Sequence, residues 1–145
     1  MSTSLEVPEL ERCPFCDYLN GTRPFTILSR TETVATLVTR EQRGVGHLLV
    51  IPVKHRPTLL DLTADEASAV MQSVVAAAGA ITVGYEVPGV AVWQNNGIPA
   101  HQTIPHVHFH IAGTLPEGGT EWDEVDESSI FETEVIANRL RPFFK

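Results

Sequence analysis

Histidines at positions 106, 108 and 110, in the stretch IPHVHFHIAG, make up three of the six histidines in the chain. They alternate with Val107, Phe109 and Ile111. In a β-strand, positions i, i+2 and i+4 project from one face, roughly 7 Å apart. The spacing therefore predicts a row of three imidazoles on one face and three apolar side chains on the other. In a helix, His108 would point away from both neighbours. An imidazole titrates near neutrality and can act as nucleophile, acid, base or metal ligand. Each ring also needs partners for two nitrogens, so three in a row suit ordinary core packing poorly. Catalysis is the first candidate. A metal site is the next, because His-x-His is a common ligand pair.

A second chemical pattern is Cys13-Pro-Phe-Cys16, which holds both cysteines of the chain. In a reducing compartment such a pair reads as metal ligands or redox thiols rather than as a structural disulfide. Its surroundings do not follow the βαβ pattern of a thioredoxin motif.

These residues need a frame. A short helix is expected after Pro14, within residues 12–19. FTILSR (25–30) and TVATLVTR (33–40) read as a hairpin turning at Thr31 and Glu32. HLLVIPV (47–53) reads as a third strand and EQRGVG before it as a loop. Thr63 and Glu66 form a capping-box pattern ahead of an alanine-rich helix reaching about Val83. GVAVWQ (89–94) and HVHFHIA (106–112) read as two more strands, joined by the Gly/Pro/Asn loop NNGIPAHQTIP. Ser128 or Ser129 can cap a last helix to about Arg141, with Pro142 beyond it. GGTEWDEVDESS reads as a solvated acidic loop. Within it Trp122 is expected to pack over the site or against a partner chain, since large aromatics in acidic loops need a contact. This order predicts an α+β fold with a five-stranded, mostly antiparallel sheet, a long central helix and a C-terminal helix.

Length and charge limit the function. At 145 residues and 43 % hydrophobic content, one globular domain over residues 1–145 is expected. A net charge of −8 without a Lys/Arg cluster argues against a nucleic-acid partner. A small phosphorylated ligand stays open, because a pocket can be locally positive on an acidic protein. The N-terminal stretch shows no apolar leader core, and the longest apolar run is broken by Gln72, Ser73, Gly79 and Thr82. A cytoplasmic protein with no membrane partner is expected.

In order and spacing, four segments resemble the histidine-triad (HIT) family. His106-Val-His108-Phe-His110-Ile-Ala is similar to its triad. GHLLVIPVKH (46–55) resembles its Gly-His-apolar-Val-Ile-Pro-x-x-His strand. NNGIPAHQTIPH (95–106) resembles the loop before the triad, and CPFC the Cys-x-x-Cys of a zinc-containing branch. The resemblance covers residues 13–113. It implies five antiparallel strands with two helices, a homodimer, and a nucleotide or nucleoside phosphoramidate as substrate, hydrolysed or transferred at the α-phosphate. His108 matches the nucleophile, whose other ring nitrogen donates to a backbone carbonyl near His106. His110 matches a phosphate ligand, for which a cationic ring would offset charge. His47 matches the histidine flanking the triad. Asn95, Gln102 and Thr103 match loop residues that contact phosphate or assist the leaving group. Cys13, Cys16, His55 and His106 match a tetrahedral Cys₂His₂ set for structural zinc. The alternatives are a dinucleoside-polyphosphate hydrolase or nucleotidyltransferase, and a zinc-stabilised nucleotide-binding module with little turnover.

Three places depart from the family. His101 stands where it has glycine, a residue that permits positive φ or close backbone approach to phosphate. The histidine either narrows the pocket or adds a proton donor for the leaving group. Thr39 stands near an acidic residue or asparagine that holds ribose hydroxyls, and threonine cannot clamp two hydroxyls as a carboxylate does. Gly113-Thr114 after the triad supplies no arginine for an extended polyphosphate.

Overall fold

A computed structural model describes residues 4–145. Five strands form one antiparallel sheet in the spatial order β1-β2-β3-β5-β4. They are β1 (Ile27–Arg30), β2 (Val34–Val38), β3 (Val45–Pro52), β4 (Val90–Trp93) and β5 (Phe109–Gly113). The helices are α1 (Pro14–Leu19), α2 (Ala64–Tyr85) and α3 (Ile130–Leu140). The α+β architecture expected from the sequence is thus present.

β2 and β3 are central, and their near-continuous apolar runs follow from that position. Period-two alternation splits each run between two cores. Val34, Val38, Leu48 and Val50 face α2 and α3, with Val70, Val74, Ile81 and Leu140. Ala35, Leu37, Leu49 and Ile51 face α1, with Phe15 and Leu19. The α1 face carries the chemistry. There His110 pairs across the sheet with Leu49 on one side and with Trp93 on the other.

The expected capping box is formed. Thr63 Oγ1 accepts from the Glu66 amide at 3.1 Å, and Glu66 Oε1 accepts from the Thr63 amide at 2.9 Å. Ser129, rather than Ser128, caps α3 in the same way with Glu132. Pro142 lies inside a 3₁₀ turn, Arg141–Phe143, that continues from α3. By length and composition α2 could cross a membrane, yet seven of its residues are buried in this fold.

The fifth strand departs from expectation. It begins at Phe109 rather than at His106. Pro105 has no amide proton to offer a neighbour, and the Val107 amide donates to Arg56 O at 2.8 Å instead of to a strand partner. Residues 106–108 are therefore a lead-in held from the side, not three rungs of a ladder.

Gly44 lies where the chain enters β3, against the far end of β5. A Cβ there would stand 2.5 Å from Gly113 O and 2.9 Å from Ala112 Cβ. Backbone cannot yield as a flexible side chain can, so Gly44→Ala is expected to destabilise the fold by about 1–3 kcal/mol. Urea unfolding would read this as a lower midpoint at unchanged slope.

Candidate functional site

The site is built on the α1 face, from the ends of β3, β4 and β5 and the loops around them. A cavity of about 770 Å³ opens there, and His108, His110, Trp93, Asn95 and Thr39 lie in its wall.

Backbone groups that can act in only one sense assign the proton on each ring. An amide can only donate, so the Arg43 amide, 3.0 Å from His47 Nδ1, makes that nitrogen an acceptor. The His47 proton is then on Nε2, which donates to His110 Nδ1 at 3.0 Å. His110 in turn keeps its proton on Nε2. A carbonyl can only accept, so His108 Nδ1–H donates to His106 O at 2.8 Å, which leaves a lone pair on Nε2. By the same logic His106 Nε2–H donates to Pro52 O at 2.9 Å, and its Nδ1 carries the lone pair. Each ring is oriented by main chain or by a ring that main chain orients.

Burial keeps these rings neutral. Desolvation, then the Arg43 charge, lowers His47 to about 3. Desolvation, then His108, His47 and Arg43, lowers His110 to about 2. His106 falls to about 4, chiefly through burial. Desolvation lowers His108 as well, against its hydrogen bond to the His106 carbonyl. A cationic ring, the form that would offset phosphate charge, is thus disfavoured at His110 without a ligand. In the free protein His110 is a neutral Nε2–H donor, stacked on Trp93 at 4.8 Å between ring centroids and 3° between planes. The three triad rings still follow one another along the α1 face, with His108 5.0 Å from His110 and Phe15 packed against both His106 and His108.

The first ring of the triad belongs to a second cluster. Cys13, Cys16, His55 and His106 bring one ligand atom each within 4.8 Å of one another. His106 Nδ1 lies 3.3 Å from Cys13 Sγ and 3.7 Å from Cys16 Sγ, and His55 Nδ1 lies 3.5 Å from Cys16 Sγ. Ligand bonds of ~2.3 Å to sulfur and ~2.0–2.1 Å to nitrogen place S and N ~3.6 Å apart across a tetrahedral zinc ion. The donor set and its spacing fit that ion. The His106 Nε2–H···O=C bond is the outer-shell contact that orients a metal-binding imidazole. Burial, then the neighbouring Cys13, pushes the Cys16 thiol up to about 12. Two adjacent thiolates need a cation between them, and a bound metal reverses that shift.

Asn95, Gln102 and Thr103 all lie in the cavity wall but are held differently. The buried Gln102 side chain is fully engaged with backbone. Oε1 accepts from the Gly97 amide at 2.7 Å, and Nε2 donates to Pro57 O and Ile104 O at 2.7 and 2.9 Å. It braces the loop from within the cavity wall. Asn95 Nδ2 likewise donates to Ala100 O at 2.9 Å. Thr103 is exposed on the cavity wall. Thr39 is buried, and its Oγ1 accepts from the Glu41 amide at 3.2 Å. His101 has φ +67°, the left-handed conformation for which glycine is the usual residue.

Several wall residues escaped the sequence reading. Arg40 and Arg43 lie in the cavity wall, although the sequence reads the first only as the end of a strand and the second as plain loop. The acidic segment is also not simply solvated. The Glu121 amide donates to Arg43 O and the Ser128 amide to Arg40 O, both at 2.7 Å. Arg43 NH1 donates to Asp123 O at 2.6 Å, and Arg40 pairs with Glu127 at 3.3 Å. This docking places Trp122 against Trp93 at the cavity rim, with centroids 5.6 Å apart. A stacked pair, Tyr18 and Phe25 at 4.0 Å, completes the aromatic wall. A lone arginine at a strand end and a lone aromatic in a loop carry no local signal, and only the fold brings them together.

Comparison with known proteins gives concordant results. The HIT domain family matches residues 20–116. An adenosine 5′-monophosphoramidase of Schizosaccharomyces pombe is 34% identical over 110 residues, covering 76% of this chain and 77% of that one. An asymmetrical bis(5′-nucleosyl)-tetraphosphatase of the same organism is 32% identical over 100 residues, covering 69% and 53% respectively. Among solved structures, a zinc-bound histidine triad family protein from Mycobacterium smegmatis superposes with a TM-score of 0.78 at 22% identity, covering 91% of this chain and 92% of that one.

Proposed function

The chain belongs to the HIT family, and from that premise we propose that it is a nucleotide hydrolase acting at the α-phosphate of nucleoside phosphoramidates through a covalent nucleotidyl-histidine on His108. The observation that carries this reading is the 2.8 Å bond from His108 Nδ1–H to His106 O. It leaves a neutral ring with its Nε2 lone pair at the cavity. Nε2 attacks phosphorus, the bond to the leaving amine breaks, and water then cleaves the phosphorus–nitrogen bond to the histidine. Two easier displacements replace one hard one. His110 Nε2–H donates to a phosphate oxygen and stabilises charge that grows during attack. His47 acts behind it by holding its proton on that nitrogen. Asn95, Gln102 and Thr39 shape the phosphate and sugar side of the cavity, and Thr103 offers a hydroxyl there.

Zinc at Cys13, Cys16, His55 and His106 is part of the proposal and has a structural role. It would tie α1 to the lead-in that presents the nucleophile. We also place the protein in the cytoplasm as a homodimer. Met71, Val75 and Val83 form an exposed apolar stripe on α2, and Val92 is exposed on the edge strand β4. A second copy is the natural cover for both.

A second reading, a dinucleoside-polyphosphate hydrolase, is favoured by the cavity's size and by its two aromatic pairs, Tyr18–Phe25 and Trp93–Trp122. The acidic segment at the rim disfavours a long polyanion. Chromatography after incubation with adenosine and guanosine 5′-phosphoramidates and with diadenosine polyphosphates decides between them. Faster release of nucleoside monophosphate from the phosphoramidates is expected. A folded protein that binds nucleotide and releases none is a binding module, and the hydrolase reading falls.

A further inference from the structure

Among the histidines of the cavity wall, His101 alone has a ring without a hydrogen-bond partner among the described residues. His108 and His110 each have one nitrogen committed and are neutral. His101 is exposed and lies in the same wall, but it enters from the loop between β4 and β5. Its backbone is in the left-handed region, φ +67° and ψ 29°, at the end of the 3₁₀ turn Ile98–Ala100.

That conformation is held from all sides. The His101 amide donates to Ile98 O at 2.9 Å and the Gln102 amide to Gly97 O at 3.1 Å. Asn95 holds Ala100 O, and the buried Gln102 side chain holds Gly97, Pro57 and Ile104. A backbone kept at an unfavourable φ by so many contacts fixes the point from which the His101 side chain leaves the loop. In-line displacement at phosphorus sends the leaving atom away from the nucleophile. A proton donor for that atom must therefore stand across the substrate from His108 Nε2, and His101 enters the cavity from a different loop.

We propose that His101 is the general acid for the leaving group and then the base for water. This rests on the hydrolase reading above. As His108 Nε2 bonds to phosphorus, the phosphorus–leaving-group bond breaks. Its electron pair goes to the departing nitrogen or oxygen, which takes a proton from the His101 imidazolium. In the second half, water attacks phosphorus and gives a proton to the now neutral His101. The phosphorus–histidine bond breaks and its pair returns to His108 Nε2. His101 ends as it began. Exposure to water lets it exchange its proton between turnovers.

The substrate preference follows. An amine or alcohol of high pKa needs that proton to leave, whereas a nitrophenolate does not. The experiment is single-turnover release of the leaving group from two adenosine 5′-monophosphate derivatives, an alkylamine phosphoramidate and a 4-nitrophenyl ester. Wild type is compared with His101→Gly and His101→Gln. Glycine adopts the observed φ without strain, so the loop is preserved. Both variants are expected to slow the alkylamine substrate about 10²-fold, and the nitrophenyl ester less than about 3-fold, because a stable anion needs no general acid. A His101→Gly variant as fast as wild type on the alkylamine overturns the proposal. Equal slowing on both substrates overturns it too, since that marks a distorted loop. If wild type turns over neither, the hydrolase reading falls and this inference with it.

Discussion

His108→Ala is expected to lower kcat/KM for a nucleoside phosphoramidate by at least about 10³-fold, since loss of a covalent nucleophile removes the whole two-step route. The protein should still fold. The ring is part of a cavity wall, and its Nδ1–H bond goes to a carbonyl that water can reach once the ring is gone. Circular dichroism and the melting temperature should therefore stay near wild type. Binding of nucleoside monophosphate should persist, because His110, Trp93 and the loop remain. The direct check is the intermediate. After mixing with substrate and acid quenching, mass spectrometry should find one added nucleotidyl group on wild type, mapped to the peptide with His108, and none on the variant. A variant with near wild-type turnover would mean that water attacks phosphorus directly. In that case the neutral, oriented ring at 108 has some other use.

What could be read from the sequence was whatever depends on local spacing. Short apolar, β-branched runs such as ATLV and HLLVIPV give the central strands. Thr63–Glu66 marks a helix start, because a capping box is a contact between residues three apart, while Ser128 and Ser129 were equal candidates for the last one. The triad was visible for the same reason. Two kinds of feature were not. One is contact between distant segments: Arg43 with Asp123, Trp93 with Trp122, and Tyr18 with Phe25 join residues that only the tertiary fold brings together. The other is competition for a hydrogen bond. Alternation says that His106, Val107 and His108 can be strand, but it is silent about the Arg56 carbonyl that takes the Val107 amide. Spacing is also silent about the burial beside His47 and Arg43 that lowers the pKa of His110.

Removing metal is expected to damage stability before chemistry. The purified chain should carry about one zinc ion, the complement of one tetrahedral Cys₂His₂ set. Two groups of that set belong to α1 and its cap, one follows β3, and His106 stands on the lead-in to β5. They are far apart in sequence, so an ion there closes long loops. Structural zinc sites are worth roughly 10–16 kcal/mol in small zinc-dependent peptides. This chain has two apolar cores of its own, so a smaller loss is expected, several kcal/mol, or a fall of roughly 10–20 °C in melting temperature. Cys16→Ser should give the same fall without chelator and bind less than one zinc ion per chain. The coupling to catalysis runs through one residue. His106 offers Nδ1 to the cluster, and its carbonyl holds the proton of His108. A loosened lead-in would let that carbonyl drift and the nucleophile lose its orientation. Activity per folded molecule should therefore fall less than stability, and zinc added back before unfolding should restore both. If chelation abolishes turnover at an unchanged melting temperature, the ion acts at the reacting phosphate instead, and the structural assignment is wrong.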